Sequence, residues 1–289
     1  MKPKSTKQKW NFNPKLRFTY VFLSCCFFFL AGHFASTLIS QDFSGAKQKA
    51  RQLQSLKEEI IDLLPPGKTG DDSITVIPFQ VLSWKPRALY FPNFATGEQC
   101  QSIINMAKPS LKPSTLALRK GETEENTQGI RTSSGMFISA SEDETGVLDA
   151  IEEKIARATM LPRAHGEAFN VLRYEIGQKY NSHYDAFNPA EYGPQKSQRV
   201  ASFLLYLSDV EEGGETMFPF ENGMEIDENY DFEKCIGLQV KPRQGDALLF
   251  YSLFPNNTID PTSLHGSCPV IKGEKWVATK WIRDQELDE

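Results

Sequence analysis

The sequence VASFLLYL, residues 200–207, indicates the fold class of the second half of the chain. It is rich in Val, Leu, Phe and Tyr, as are three further short runs at residues 169–174, 247–252 and 276–282. Such residues favour β-strands, and the Gly, Pro, Asn and Asp residues between the runs favour turns. We therefore expect a series of short strands beyond residue 161.

Two amphipathic helices are predicted before these strands. Residues 96–106 place Cys100, Ile103 and Ile104 on one helical face. Residues 141–160 begin with Ser, Asp and Glu, which suit a helix N-terminus, and carry an apolar stripe of Val147, Leu148, Ile151 and Ile155. Helices followed by many short strands predict an α+β domain whose core is a sandwich or barrel of antiparallel strands.

Residues 112–135, between the two predicted helices, form a polar stretch. They contain Gly121 and Gly129 and show no periodicity of apolar residues. This pattern predicts a long mobile loop, and loops of such length usually have a functional role.

The N-terminal region combines a basic tail with a long apolar run. Residues 18–39 contain no Asp, Glu, Lys or Arg, and at about 1.5 Å per residue they can cross a hydrocarbon core of about 30 Å. A cleaved signal peptide is the alternative, although its apolar stretch is normally about 7–15 residues long. The basic residues predict that the tail stays cytoplasmic. The expected organisation is a cytoplasmic tail at 1–17, a transmembrane signal anchor at 18–39, a luminal stem at 40–75 and a folded domain at 76–289.

The net charge of −5 is unevenly distributed along the chain. Six Lys and Arg residues precede the first acidic residue, Asp42, so the remainder carries −11. A basic tail followed by an acidic body leaves no basic stripe on the folded part for a phosphate backbone. Nucleic acid is therefore excluded as the main partner.

Five cysteines are present, and two of them, Cys25 and Cys26, lie in the predicted span. The other three, Cys100, Cys235 and Cys268, are then in an oxidising compartment. One disulfide and one free thiol are expected, and spacing alone does not select the pair.

A metal site is suggested by His183, Asp185 and His265. The triplet His183-Tyr184-Asp185 places an imidazole and a carboxylate two residues apart, on one face of an extended strand. His265 begins a later strand-like segment that could converge on the first. Two His and one carboxylate on a single face leave open positions on non-haem iron(II) for an oxidant and a bidentate cosubstrate. Zinc could use the same three ligands for hydrolysis.

Lys275, ten residues after His265, favours iron over zinc. When 2-oxoglutarate chelates iron through its 2-oxo acid end, its far carboxylate is buried and needs a positive partner. Lys275 would supply that charge.

Five separated blocks of the sequence resemble the plant and animal prolyl 4-hydroxylase family. They are RYEIGQKYNSHYD at 173–185, GGETMFP at 213–219, KPRQGDALLF at 241–250, LHGSCPV at 264–270 and GEKW at 273–276. The resemblance spans residues 76–284. It implies a double-stranded β-helix (jelly-roll) core with supporting N-terminal helices, preceded by the single transmembrane helix.

The resemblance also implies a set of site residues. It assigns iron ligation and catalysis to His183, Asp185 and His265. It assigns cosubstrate contacts to Lys275, Tyr174 and Thr216, and places Trp281 beside the iron pocket. The implied cofactors are Fe(II), 2-oxoglutarate, O2 and L-ascorbate, which restores oxidised iron.

The implied reaction converts peptidyl-proline to trans-4-hydroxyproline while 2-oxoglutarate is decarboxylated to succinate and CO2. Arg199 and Tyr180 match positions that grip a proline-rich peptide, and the 112–135 loop is expected to close over it. The anchor and short form resemble plant members, whose substrates are hydroxyproline-rich cell-wall proteins such as extensins and arabinogalactan proteins. A collagen substrate and a disulfide-isomerase subunit are not expected, whereas an oligomer with itself or with related hydroxylases is allowed.

The resemblance pairs Cys235 with Cys268 and leaves Cys100 free. The sequon Asn256-Asn257-Thr258 reads as an exposed loop and predicts glycosylation of Asn256. The expected location is the endoplasmic reticulum membrane, single-pass type II with a luminal catalytic domain, and the sequence leaves open whether the protein moves on to the Golgi.

Three other functions stay open at this point. The chain could be another oxygenase that acts on lysine, a small molecule or a different proline carbon. It could be a membrane-tethered binder of proline-rich peptides with a vestigial site, or a zinc-dependent hydrolase. Peptide-dependent succinate release distinguishes the first two from a prolyl 4-hydroxylase, and metal analysis distinguishes the third.

Overall fold

The computed structural model describes residues 76–223, residue 231 and residues 234–286, together with Phe27, Phe28 and Leu30. The chain divides into two units, Met1–Thr75 and Val76–Glu289. Phe27, Phe28 and Leu30 are helical, and the rest of the predicted span at 18–39 and the stem at 40–75 lie outside the described residues. Among the residues that are described, no helix has both the length and the apolar character needed to span a membrane.

The described part of the second unit contains three α-helices and fourteen strands. The helices are α1 (Gly97–Ala107), α2 (Val147–Thr159) and α3 (Pro189–Tyr192). The strands before α3 are β1 (Gln80–Trp84), β2 (Arg87–Phe91), β3 (Lys112–Pro113), β4 (Ser134–Ile138), β5 (Phe169–Tyr174) and β6 (Tyr180–His183). The strands after α3 are β7 (Arg199–Tyr206), β8 (Glu212–Gly213), β9 (Thr216–Phe218), β10 (Leu238–Val240), β11 (Ala247–Tyr251), β12 (His265–Ser267), β13 (Val270–Lys272) and β14 (Lys275–Arg283).

The strands form two main sheets and a short ribbon. The larger sheet has the order β1-β2-β11-β7-β14-β5-β4-β3, the smaller has the order β10-β9-β12-β6, and β13 pairs with β8. Neighbouring strands are antiparallel throughout. Two facing antiparallel sheets of this kind are consistent with a jelly-roll. The expected α+β class and antiparallel core are confirmed.

Alternation along β7 explains how the two layers of the core are built. Ala201, Phe203 and Leu205 pack with residues of α1 and α2 on one face of the larger sheet. Leu204 and Tyr206 point to the other face and pack with residues of the smaller sheet. Side chains of a strand alternate between faces, so one run of apolar residues serves both layers.

The predicted strands agree closely with the structure. The run at 169–174 coincides with β5, and those at 200–207, 247–252 and 276–282 differ from β7, β11 and β14 by no more than one residue at either end. The first predicted helix is also found, as α1, with Thr96 as its N-cap in a capping box with Gln99.

The predicted start of the second helix at residue 141 is wrong, because α2 begins at Val147. Asp143 accepts hydrogen bonds from the backbone N–H of Leu148 at 2.7 Å and of Thr145 at 2.8 Å, which ties the preceding turn to the helix start. Gly146 then has φ of 72°, outside the helical region. The acidic residues before α2 therefore form a capping turn, with a single 3-10 turn at Ala140–Glu142.

The 112–135 stretch is not entirely loop. Its first residues form β3 and its last belong to β4, and these two strands pair, with Lys112 opposite Gly135. The segment between them leaves the larger sheet and returns to it.

Candidate active site

The two histidines and the aspartate of the predicted metal site meet in the smaller sheet. β6 and β12 are neighbours, and His183 lies directly opposite His265. Asp185 follows β6, and one of its oxygens lies 3.5 Å from Nε2 of His183 while the other lies 3.5 Å from Nε2 of His265. Candidate ligand atoms of the three side chains all lie within 4.8 Å of one another, which is a spacing that one ion can bridge.

Both imidazoles are held in one orientation by the backbone. Nδ1 of His183 lies 2.9 Å from the carbonyl oxygen of Asn181, and Nδ1 of His265 lies 2.9 Å from that of Ser263. A ring nitrogen that faces a carbonyl oxygen carries the proton, so each Nε2 keeps its lone pair for a metal. Burial lowers the pKa of His265 to about 4, which keeps its ring neutral.

Asp185 supplies the negative charge of this group. Its burial opposes ionisation, but the imidazoles of His265 and His183 outweigh burial and hold the pKa of the carboxyl well below its usual range. Ser202 donates a hydrogen bond to Oδ2 of Asp185 at 2.5 Å and fixes the carboxylate. Two neutral imidazole nitrogens and one carboxylate on one face suit non-haem iron(II).

A small inner pocket of about 40 Å³ extends from the metal ligands into the space between the sheets. Lys275, at the start of β14, lines it and is only 1% exposed. Its Nζ donates to Oγ of Ser267 at 2.8 Å, and the side chain forms no ion pair with the described residues. Burial lowers the pKa of Lys275 to about 7. A buried cation that forms no salt bridge with the described residues, in the same pocket as a metal site, fits a ligand with a carboxylate at each end.

The other predicted cosubstrate residues line the same inner pocket. Tyr174 lies opposite Lys275 in the register of β5 and β14, with its ring centre 5.3 Å from Nζ. Thr216 is buried and accepts a hydrogen bond from the hydroxyl of Tyr206 at 2.9 Å. Sequence reasoning missed Tyr206, Ser267 and Ser202, although alternation along β7 and β12 would have placed them on the inner face.

A much larger groove, of about 1180 Å³, opens on the outer side of the metal ligands. It is lined by His183 and Asp185, by the predicted peptide residues Tyr180 and Arg199, and by Trp281. Trp281 lines both the groove and the inner pocket, so the two cavities meet beside it. The structure thus brings together every predicted metal, cosubstrate and peptide residue.

Arg199 is fixed in place by an ion pair and by contact with an aromatic ring. Its guanidinium donates to both carboxylate oxygens of Glu167, each at 2.7 Å, and its Cζ lies 3.7 Å from the ring centre of Trp281. Arg283 donates to the same carboxylate at 2.8 Å. Nε1 of Trp281 is buried and finds no hydrogen-bond partner among the described residues. Sequence reasoning missed Glu167, because its partner is 32 positions away.

Tyr180 lies flat against a metal ligand. Its ring is stacked on that of His183, with centres 3.7 Å apart and an angle of 20° between the planes. Cζ of Arg131 lies 4.8 Å from the Tyr180 ring, and Arg131 lines both cavities, a position that sequence reasoning missed. Burial raises the pKa of Tyr180, so its hydroxyl stays protonated.

The 112–135 loop reaches across the groove to α3. Nε of Arg119 lies 3.0 Å from a carboxylate oxygen of Glu191, and the backbone N–H of Lys120 donates to the Glu191 carbonyl at 2.9 Å. Residues of the loop and Tyr192 of α3 both line the groove. The loop therefore covers part of the cavity that leads to the metal ligands.

Two further predicted sites lie outside these cavities. Cys235 and Cys268 form a disulfide with a Cα–Cα distance of 5.7 Å. Cys100 is a buried free thiol, and its burial raises its pKa to about 11. Asn256 is exposed in a turn, where both the backbone N–H and the hydroxyl of Thr258 donate to its Oδ1, at 3.2 and 2.7 Å.

Several known proteins are similar to this chain in sequence. Residues 169–283 match the family model of the 2OG-Fe(II) oxygenase superfamily. A protein of Arabidopsis thaliana named probable prolyl 4-hydroxylase 9 is 68% identical over 277 residues, covering 95% of this chain and 96% of its own. Another from the same organism, prolyl 4-hydroxylase 13, is 61% identical over 95% of this chain and 97% of its own.

A solved structure is also similar. It is the viral collagen prolyl hydroxylase of Paramecium bursaria Chlorella virus-1 in complex with 2-oxoglutarate, with a TM-score of 0.51 and 27% identity over 68% of this chain and 95% of the viral one. With the His183, Asp185 and His265 group and the buried Lys275 in one pocket, these likenesses place the chain in the prolyl 4-hydroxylase family of Fe(II)- and 2-oxoglutarate-dependent oxygenases.

Proposed function

We propose that the protein hydroxylates peptidyl-proline at C4 in proline-rich secretory or cell-wall proteins of the extensin and arabinogalactan-protein type. The observation that carries this proposal is the continuity of the two cavities. One buried cation lies in an inner pocket with the metal ligands, and that pocket meets a peptide-sized groove beside Trp281.

The residues of the site have separate roles in the proposed reaction. His183, Asp185 and His265 would hold iron(II), and Lys275 would neutralise the far carboxylate of 2-oxoglutarate. When bound at this site, iron(II) with 2-oxoglutarate would supply the chemistry by which O2 oxidises the C4–H bond, with succinate and CO2 as co-products, and ascorbate would keep the iron reduced. The protein's own contribution is orientation and exclusion of water, because the ligand group and Lys275 are almost fully buried.

The groove supports a proline-rich chain as the substrate. Its walls carry aromatic rings of Tyr180, Phe187, Tyr192 and Trp281, which suit the flat faces of proline rings. A polyproline II segment is already extended, so it loses little conformational entropy when it binds such a groove. The plant origin of the similar hydroxylases supports cell-wall glycoproteins as the class of substrate.

The test is substrate-dependent turnover by the full-length protein. Succinate and 4-hydroxyproline are measured with iron(II), 2-oxoglutarate and ascorbate, with and without a proline-rich peptide. We expect peptide-stimulated succinate and 4-hydroxyproline from the wild type and neither from His265→Ala. His165→Ala is the matched control, because His165 contacts the Arg283 carbonyl and lines neither cavity. Peptide binding without succinate in the wild type would contradict the proposal and favour a binding protein.

The proposal includes a location. Residues 18–39 would anchor the protein in the endoplasmic reticulum membrane, with the N-terminal tail in the cytoplasm and the catalytic domain in the lumen. The Cys235–Cys268 disulfide supports an oxidising compartment such as the lumen. Asn256 would then carry a glycan, since its side chain is exposed in a turn and the Thr258 hydroxyl of the sequon donates a hydrogen bond to its Oδ1. Endoglycosidase treatment should increase the mobility of the wild type in a gel and leave Asn256→Gln unchanged. A wild type that is insensitive to the enzyme would contradict glycosylation at this position.

A further inference from the structure

Phe137 is a large aromatic side chain in an unexpectedly exposed place. It lies in β4, where Met136 and Ile138 on either side pack against the core formed with the helices. Alternation therefore turns Phe137 to the opposite face of the sheet, where it is 59% exposed and lines the groove. Exposed aromatic rings that line a cavity commonly mark a binding surface.

The ring of Phe137 continues the aromatic wall that starts beside the iron ligands. Its centre is 6.3 Å from that of Trp281, with an angle of 37° between the planes. Trp281 lines both the groove and the inner pocket, whereas Phe137 lines the groove but not the inner pocket. Arg199 already covers Trp281 at 3.7 Å and holds it in place. The wall thus runs from the point where the cavities meet to an outer position at Phe137.

The groove beside Phe137 has room for a second ring. Gly135, two residues earlier on the same face of β4, also lines the groove and adds no side chain of its own, and the neighbouring side chain of Leu172 packs closely against it. A volume of about 1180 Å³ also exceeds what one proline residue requires, so several residues of the substrate enter together.

We propose that Phe137 forms an outer proline subsite, which selects substrates that carry a second proline within one helical turn of the proline that is hydroxylated. This inference rests on the proposed function and specifies its substrate class further. A polyproline II chain rises about 3.1 Å per residue, so three residues span about 9 Å and present a second ring to the same wall. Proline is the occupant that fits, because its flat ring stacks on an aromatic face while the backbone stays extended.

The experiment compares peptides that differ in one residue. One peptide has a single target proline in a Ser/Ala host, and six others add a second proline at one of the three positions on either side. We expect kcat/KM of the full-length wild type to be about three- to tenfold higher for at least one two-proline peptide than for the single-proline peptide. Phe137→Ala should reduce that ratio to about one, and the KM for 2-oxoglutarate should not change.

Two further variants separate recognition from structure. Phe137→Trp keeps an aromatic face and should retain the preference. Trp84→Ala removes another exposed aromatic, 72% exposed in β1 and absent from the groove lining, and should also retain it. A preference that persists in Phe137→Ala, or an equal loss of kcat/KM with all seven peptides in that variant, would overturn the subsite. Failure of the wild type to hydroxylate any peptide would instead overturn the proposed function and the subsite with it.

Discussion

The titration of Lys275 offers a direct test of how the cosubstrate is bound. Its ammonium is 1% exposed, has Ser267 as a neutral partner and forms no ion pair with the described residues. Burial lowers its pKa from 10.5 to about 7 in the protein without cosubstrate. The far carboxylate of 2-oxoglutarate needs the charged form, so binding should weaken as the pH rises through this value.

The size of the effect follows from the pKa. With a pKa of about 7, roughly nine-tenths of Lys275 is charged at pH 6 and roughly one-tenth at pH 8. The Kd for 2-oxoglutarate should therefore rise about tenfold between pH 6 and pH 8, and binding at pH 8 should take up about one proton. His265 does not contribute in this window, because its pKa of about 4 lies well below it.

Calorimetry on the full-length protein can measure both quantities, with Mn(II) in place of iron and two buffers of different ionisation enthalpy. Lys275→Arg is the matched variant, because a guanidinium stays charged throughout this range. Its Kd should be higher than that of the wild type, because the larger group must fit beside Ser267, but should be nearly constant with pH. Lys275→Met should bind 2-oxoglutarate at least about thirtyfold more weakly than the wild type at pH 6, since a buried carboxylate is left unpaired. The difference should narrow towards pH 8 as Lys275 of the wild type loses its charge.

Two results would refute this reasoning. A wild-type Kd that is constant from pH 6 to pH 8, with no proton uptake, would mean that Lys275 does not titrate there or does not bind the carboxylate. A pH dependence that survives in Lys275→Arg would assign the titration to another group.

Three further predictions concern stability and peptide access. Glu152→Gln removes the carboxylate that pairs with buried Lys280 and should lower the free energy of unfolding, measured in urea, by about 3–5 kcal/mol. The double variant Glu152→Leu with Lys280→Leu should lower this free energy by less, because it leaves no buried charge unpaired. Burial of Asp143 raises its pKa, but the hydrogen bonds that it accepts outweigh burial and lower the pKa below 3.8. Asp143→Ala should therefore lower the free energy of unfolding by about 1 kcal/mol at pH 7. The difference from wild type should disappear as the pH falls through the folded-state pKa. The ion pair of Arg119 and Glu191 is exposed and contributes little to the free energy of loop closure. Arg119→Ala should therefore raise the peptide KM by no more than about fivefold in a steady-state assay and leave kcat and the KM for 2-oxoglutarate unchanged. The effect on the peptide KM should disappear in high salt.

Each of these predictions has a contrary result. Equal losses in Glu152→Gln and in the double variant would mean that the ion pair is not the source of the stability. A constant difference between Asp143→Ala and wild type down to low pH would show that charge on Asp143 is irrelevant to the cap. A fall in kcat for Arg119→Ala would show that the contact between the loop and α3 acts on the reaction rather than on peptide access.

The sequence predicted those parts of the site that depend on short-range pattern. His183 and Asp185 are two residues apart, the first at the end of β6 and the second just after it, and Lys275 begins a run of alternating residues that becomes β14. Alternation and apolar runs likewise predicted the strands of the core, because each residue's face in a strand is set by its immediate neighbours.

The sequence did not predict the polar contacts by which distant segments hold Arg199 and Asp185 in place. Glu167 holds Arg199 from 32 positions away, and Ser202 holds Asp185 from 17 positions away. Single polar residues in apolar runs carry no periodic signal, and only strand pairing decides which carboxylate or hydroxyl they meet. The start of α2 was misplaced for a similar reason, since the acidic residues before it suit a helix and a capping turn equally well.

The register of β14 limits how this protein can vary. Lys275, Val277, Thr279 and Trp281 alternate along the strand and all line the inner pocket, while Ala278 and Ile282 pack against the helix side. Insertion or deletion of one residue within the strand would exchange the two faces and turn either Lys275 or Trp281 towards the apolar core. Natural and engineered variants of β14 can therefore carry different side chains at these positions, but the strand does not tolerate the insertion or deletion of a single residue.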